Sequence, residues 1–320
     1  MSDLPKSVQI NEEGPREGFQ IEPGPISTDR KIALIEALSA TGLNTIQVAS
    51  FVNPKRVPGW ADADAVVDGF RPRSGVNYTA LWLNEKGLER ALSHRHKLHI
   101  VGSISLVASE PFLIKNQQRT TAQNADMQRN QIALFKANGI PVTKIGVMAA
   151  FGCNYSGDVT PRQVVDTVES GFQIARDEGL TIVGVSLADT MAWATPQGIK
   201  RTVGAVRERW PDVRVNLHLH DTRGLGIANA YAGLEMGVDS YDAAVAGLGG
   251  CPFAGHKGAA GNVCTEDLVF MCEEMGIATG VDVEALIEAA RLAEDVVGHP
   301  LPGSLMRGGS LATLRRNLLQ

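Results

Sequence analysis

Short β-rich runs alternate with longer helical patterns along most of this 320-residue chain, and eight such units in succession predict a TIM (β/α)8 barrel in the α/β class. Two further observations support that prediction. The first βα turn, Gly14-Pro-Arg-Glu-Gly18, lacks the glycine spacing that an open doubly wound sheet uses for phosphates. The polar clusters also fall at the C-terminal ends of the predicted strands, where barrel enzymes build their sites. They are Arg16-Glu17 after the first strand, Asn84 after the third, Asp189 after the sixth, His218 and His220 at the seventh, and Cys251 after the eighth.

In chain order the strands are expected near Val8–Glu13, Thr45–Phe51, Tyr78–Leu83, Leu98–Leu106, Lys144–Ala149, Ile182–Leu187, Val213–Leu219 and Tyr241–Val245. Helical patterns cover Asp29–Ala40, Ala122–Ala137, Arg162–Asp177, Gln197–Glu208 and Ile227–Met236, each closed by glycine or proline. Two more helices, Thr265–Met275 and Val283–Val297, follow the barrel and are expected to pack against it. The whole chain, 1–320, then reads as one catalytic domain: a barrel over about 8–262, helices over 263–300 and a tail over 301–320.

With 44% hydrophobic residues and a net charge of −5, the chain can bury a substantial core, and it carries no basic stripe for nucleic acid. No run of eighteen apolar residues suggests a membrane span, and the amino terminus has no signal architecture. Cys153, Cys251, Cys264 and Cys272 show neither CxxC spacing nor the density of a disulfide scaffold. A cytoplasmic protein with reduced thiols is the expectation.

The chemistry concentrates in two motifs. In Val215-Asn-Leu-His-Leu-His-Asp-Thr222 strand alternation turns His218 and His220 to one side, an arrangement that invites a metal ion. In Gly247-Leu-Gly-Gly-Cys251-Pro-Phe-Ala-Gly-His-Lys-Gly-Ala-Ala-Gly-Asn262 a thiol sits among glycines, with Asn262 as a candidate oxygen ligand. Each residue also has a plainer reading: Arg16 as a structural ion-pair partner, Cys251 as a small buried hydrophobe and Asp189 as a turn or cap residue.

Together with Gly14-Pro-Arg-Glu-Gly-Phe-Gln20, Ala49-Ser-Phe-Val-Asn-Pro-Lys-Arg-Val-Pro58 and Ser186-Leu-Ala-Asp-Thr190, these motifs resemble 3-hydroxy-3-methylglutaryl-CoA lyase, in order from about Val8 to Val297. That family belongs with the metal-dependent barrels that include isopropylmalate and citramalate synthases. The resemblance implies metal ligands at Glu17, His218, His220 and Asn262. It implies catalytic roles for Arg16, Asp189, His218 and Cys251, and substrate contacts at Arg16, Gln20, Gln47 and Asn84. It further implies a divalent cation, Mg²⁺ or Mn²⁺ first and Co²⁺ or Zn²⁺ as alternatives. The partner is an acyl-CoA substrate, with a homo-oligomer as a further expectation and neither nucleic acid nor membrane as a partner.

The implied reaction is metal-assisted retro-Claisen cleavage of a 3-hydroxyacyl-CoA to acetyl-CoA and a keto acid. Two alternatives stay open: a synthase condensing acetyl-CoA with a 2-oxo acid, and an impaired paralogue that only binds a CoA ester. The chain departs from the family at Glu17, where aspartate is expected, and at Gln47, where glutamate is expected. The extra methylene moves the Glu17 carboxylate by about one carbon–carbon bond, roughly 1.5 Å, and Gln47 cannot ionise. The thiol loop is longer than the family form by about two residues and brings in His256 and Lys257, the latter a candidate phosphate contact.

Overall fold

The computed structural model describes residues 4–22, 24–249 and 261–318. Cys251, His256, Lys257 and the extended thiol loop therefore lie outside the described residues. The described chain divides into two compact units, one formed by Val101–Tyr241 and the other by Lys6–Ile100 with the segments after Tyr241.

The unit that begins at Lys6 opens with β1 (Gln9–Glu12), α1 (Gly14–Ile21), α2 (Thr28–Ser39) and β2 (Thr45–Phe51). It continues through α3 (Ala63–Gly69), β3 (Asn77–Trp82) and α4 (Glu85–Ser93). β1 pairs parallel with β2 and β2 with β3, the second pairing slipping in register between Gln47 and Ala49. Its core includes Leu34, Ile35 and Leu38 of α2 and Ile46 and Val48 of β2, all fully buried. These positions follow the two periodicities of an amphipathic helix and a strand.

Val101–Tyr241 supplies β4 (Gly102–Val107), α5 (Glu110–Gln117), α6 (Thr121–Ala137) and β5 (Val142–Met148). Next come α7 (Pro161–Asp177), β6 (Gly184–Ala188), α8 (Pro196–Arg209), β7 (Arg214–His218) and α9 (Gly226–Glu235). The helix starts are written plainly in the sequence. Thr120 with Gln123 and Thr160 with Gln163 form reciprocal capping boxes, and Thr195 caps α8 by accepting from the Gly198 amide. β8 (Ser240–Ala243) is followed by α10 (Thr265–Glu274), α11 (Val283–Val297), α12 (Leu305–Gly308) and α13 (Leu311–Leu318).

The strands hydrogen-bond in the order β3-β2-β1-β8-β7-β6-β5-β4, a cyclic run in chain sequence that defines the TIM-barrel fold. Two details differ from the sequence reading. The fourth strand is not continuous from Leu98: Leu98 makes an isolated parallel bridge with Tyr78, and β4 begins only at Gly102. A Cβ at Gly102 would lie 2.6 Å from the Phe135 ring, so the strand enters at the residue that lets α6 lie close. Second, the Gly14-Pro-Arg-Glu segment is not a loop but the first turn of α1, with proline at a start position where its missing N–H costs nothing. The apolar stripe of α11 is buried within its own unit. Leu286, Ile287, Ala290 and Ala293 are buried there, and α11 packs on α2 and α10.

Candidate active site

Glycines set the geometry around α1. A Cβ on Gly14 would meet the Glu12 carboxylate at 2.5 Å, and one on Gly18 would meet Leu248 at 2.9 Å. Trp60, fully buried, donates from Nε1 to the Arg16 carbonyl at 2.9 Å. Lys31 Nζ lies 4.9 Å from the Trp60 ring and pairs with Asp62 at 2.6 Å. The backbone carrying Arg16 and Glu17 is thus held in place by buried neighbours.

Arg16 Nη2 pairs with Glu13 at 2.6 Å and with Glu17 at 3.2 Å, and its Nε donates to Gln47 Oε1. Burial pushes the guanidinium pKa down, but Glu17, Glu13 and Asp242 outweigh that and raise it above the ordinary value. Glu17 and Asn262 both flank Gly249: a Cβ there would meet Asn262 Nδ2 at 2.9 Å and Glu17 Cγ at 3.0 Å. Gly249 also holds φ +88°, a conformation natural only to glycine. Asn262 is buried, yet neither its amide oxygen nor its nitrogen has a hydrogen-bond partner. Such a group costs on the order of 1–3 kcal/mol unless something else binds it.

In the other unit, Asp189 follows β6 directly. Its amide donates to the His218 carbonyl at 2.8 Å, and its Oδ1 accepts from the amides of Trp193 at 2.7 Å and Ala194 at 3.0 Å. The turn role is therefore real, but it occupies one oxygen: the buried Oδ2 has no partner. Burial raises the Asp189 pKa to about 6, against the lowering pull of His220, the two amides and His218. The His218 and His220 rings lie 5.0 Å apart, edge to face. His220 Nδ1 is 2.7 Å from the Asp189 carbonyl, so Nδ1–H donates there and fixes the ring's orientation.

Of the substrate-binding expectations, Gln47 lies in the middle of β2 and is bonded to Arg16. Gln20 holds a buried Oε1 without a partner. Asn84 is exposed and its Oδ1 caps α4 by accepting from the Gly87 amide at 3.0 Å. That helix-cap duty is what Asn before a helical run ordinarily signals.

Sequence reasoning missed a second set of acids. Glu12 is wholly buried: Oε1 accepts from the Gly14 amide at 2.7 Å and the Val245 amide at 2.9 Å, and Oε2 from Thr265 Oγ1 at 2.7 Å. Burial takes its pKa to about 8 against the opposing effect of these bonds. Glu266, also buried, accepts from the Ala246 amide at 2.9 Å, and burial takes its pKa to about 7. The available signal was the inward register of Glu12 in β1, where a charged residue is out of place. Cys264 is buried beside Glu266 and its thiol is pushed up well above the ordinary value, which suits a structural residue. At Cys153 burial pushes the thiol up, but bonds from Ser109, the Tyr155 amide and Ser156 outweigh it and leave a net lowering.

The sequence profile described as HMGL-like matches residues 7–293. Hydroxymethylglutaryl-CoA lyase YngG of Bacillus subtilis is 40% identical over 300 residues, covering 93% of this chain and 96% of that protein. The 3-hydroxy-3-isohexenylglutaryl-CoA/hydroxymethylglutaryl-CoA lyase of Pseudomonas aeruginosa is 40% identical over 297 residues, 92% of this chain and 95% of that one. Among solved structures, an HMG-CoA lyase from Acinetobacter baumannii in complex with coenzyme A and 3-methylmalate superposes with a TM-score of 0.83. It has 36% identity and covers 97% of each chain.

Proposed function

Because the chain belongs to the HMGL-like family, whose matched relatives are carbon–carbon lyases, we propose that it cleaves 3-hydroxy-3-methylglutaryl-CoA or a close relative to acetyl-CoA and a keto acid. The observation that carries this reading is Asp189: a buried carboxylate, half spent on its turn and half unpartnered, with a pKa of about 6. Such a group is poised to take a hydroxyl proton near neutral pH.

A divalent cation fits the donors present. Glu17, His218 and His220 are a carboxylate and imidazoles of the kind that hold a metal ion, and the orphaned amide of Asn262 offers a further oxygen. When bound, the ion polarises the substrate hydroxyl and lowers its pKa. Mg²⁺ or Mn²⁺ is our first assignment, with Co²⁺ or Zn²⁺ as alternatives.

In the proposed sequence Asp189 or His218 accepts the hydroxyl proton, and the C2–C3 bond breaks as the alkoxide becomes a ketone. The departing acetyl-CoA enolate develops charge on its thioester oxygen, which Arg16 stabilises. Cys251 then gives the enolate carbon a proton. Gln20, Gln47 and Asn84 are proposed to contact the substrate. We further propose that the two units act as one catalytic domain in the cytoplasm. A homo-oligomer would form by a surface other than the α11 stripe, and size-exclusion chromatography reads that directly. No described helix is long and apolar enough to cross a membrane.

Two assays run side by side test the reading. Acetyl-CoA release from 3-hydroxy-3-methylglutaryl-CoA, with no CoA released from acetyl-CoA plus 2-oxo acids, is the expected result. The opposite pattern identifies a condensing synthase.

A further inference from the structure

We infer that Glu13 is the standing counter-anion of Arg16 and hence a positioning residue for the cleavage, a role that rests on Arg16 serving the thioester as proposed above. Glu13 holds the position immediately before α1 and makes no cap hydrogen bond to the helix. Its Oε2 instead pairs with Arg16 Nη2 at 2.6 Å, both side chains being only 12–13% exposed. Its amide donates to the Ala243 carbonyl at 2.8 Å, which ties this residue to β8.

The planar guanidinium presents Nε and Nη2 along one edge. Gln47 takes Nε and Glu13 takes Nη2, so that edge is clamped by two protein groups, and neither bond engages Nη1. The clamp therefore orients Nη1 for a ligand oxygen.

Of the three side chains that bond or pair directly with Arg16, Glu13 is the one suited to a permanent charge partner. Gln47 is neutral. Glu17 is the more distant carboxylate, at 3.2 Å, and is the one proposed to bind the cation, where its charge is shared. Removing the Glu13 charge leaves Arg16 to compete with the cation for Glu17. Because Gln47 Oε1 already accepts from Arg16, a carboxylate placed there would sit at bonding distance from the same edge.

The test uses the full-length wild type, E13Q, Q47E and E13Q/Q47E, reading kcat and KM for thioester cleavage with Mn²⁺, Mn²⁺ affinity and melting temperature. E13Q is expected to lower kcat by about tenfold to a hundredfold, the scale of a misplaced reacting group, with KM changed less. E13Q/Q47E is expected to recover most of that loss, since it relocates the charge without restoring Glu13. An E13Q enzyme with wild-type kcat overturns the role, as does a double variant no better than E13Q. An E13Q chain whose melting temperature collapses, and whose double variant stays inactive, shows a merely structural residue and also overturns it. A wild type that cleaves no thioester removes the lyase reading and this role together, whereas an active wild type with unimpaired E13Q removes the role alone.

Discussion

Glu12 makes a quantitative prediction because its carboxyl is wholly buried and its pKa rises from 4.5 to about 8 on folding, chiefly through burial. The folded state then holds a proton that the unfolded state has lost across that window. The stabilisation is complete below pH 4.5 and is lost as pH rises through about 8. Each pH unit inside the window costs about 1.4 kcal/mol, so the full span approaches about 5 kcal/mol, a large share of the roughly 5–15 kcal/mol that holds a domain folded. Glu12→Gln is the clean perturbation. Its amide oxygen can accept from the Gly14 and Val245 amides, and its NH₂ can donate to Thr265 Oγ1, which now donates to Glu12. Urea denaturation midpoints at half-unit steps from pH 5 to 8.5 give the assay. The difference between wild type and variant removes every titrating group except Glu12 and its coupled neighbour Glu266. It should fall steadily as pH rises, with E12Q the relatively more stable protein at alkaline pH. Parallel curves for the two proteins would refute the reasoning.

Three further outcomes follow from packing and from the proposed ligands. Gly249→Ala should weaken Mn²⁺ binding and cleavage together, because its Cβ would press on Asn262 and Glu17 from a backbone at φ +88°; calorimetric titration with Mn²⁺ checks this, and unchanged affinity would contradict it. Asn262→Ala should reduce metal affinity at least several-fold without loss of folding stability, since neither polar atom of that side chain is bonded within the protein; a large drop in denaturation midpoint would show that the amide is structural. Leu38→Ala should cost about 2–5 kcal/mol of stability, the range for a fully buried leucine, and leave the KM of the residual folded enzyme unaltered. Urea unfolding monitored by fluorescence measures it.

How legible these features were depended on which force fixed each one. β2 matched residue for residue, and the capped helices were readable because Thr-Pro and Thr-x-x-Gln patterns act locally. α1 was not, since Gly14-Pro looks like a turn and becomes a helix start only where Glu12 and Val245 crowd the glycine. At the site, the histidine pair and the Asp189 turn followed from strand alternation and strand-end placement. Glu12 and Glu266 did not, because their partners lie farther along the chain: Val245 and Thr265 for Glu12, Ala246 for Glu266; Glu13 meets Arg16 only three residues on, but its spacing alone does not tell an ion pair from a helix cap. Asn84 has a duty that its strand-end placement did not show: its oxygen caps its own helix.

Metal-assisted cleavage of a 3-hydroxyacyl-CoA can be tested by stripping the protein with a chelator and following acetyl-CoA release from 3-hydroxy-3-methylglutaryl-CoA as Mn²⁺ is returned. No release is expected from the stripped protein, with a saturable return of activity on adding the ion that His220→Ala abolishes. Full activity in the stripped protein, or none at any Mn²⁺ concentration, would contradict metal-assisted cleavage.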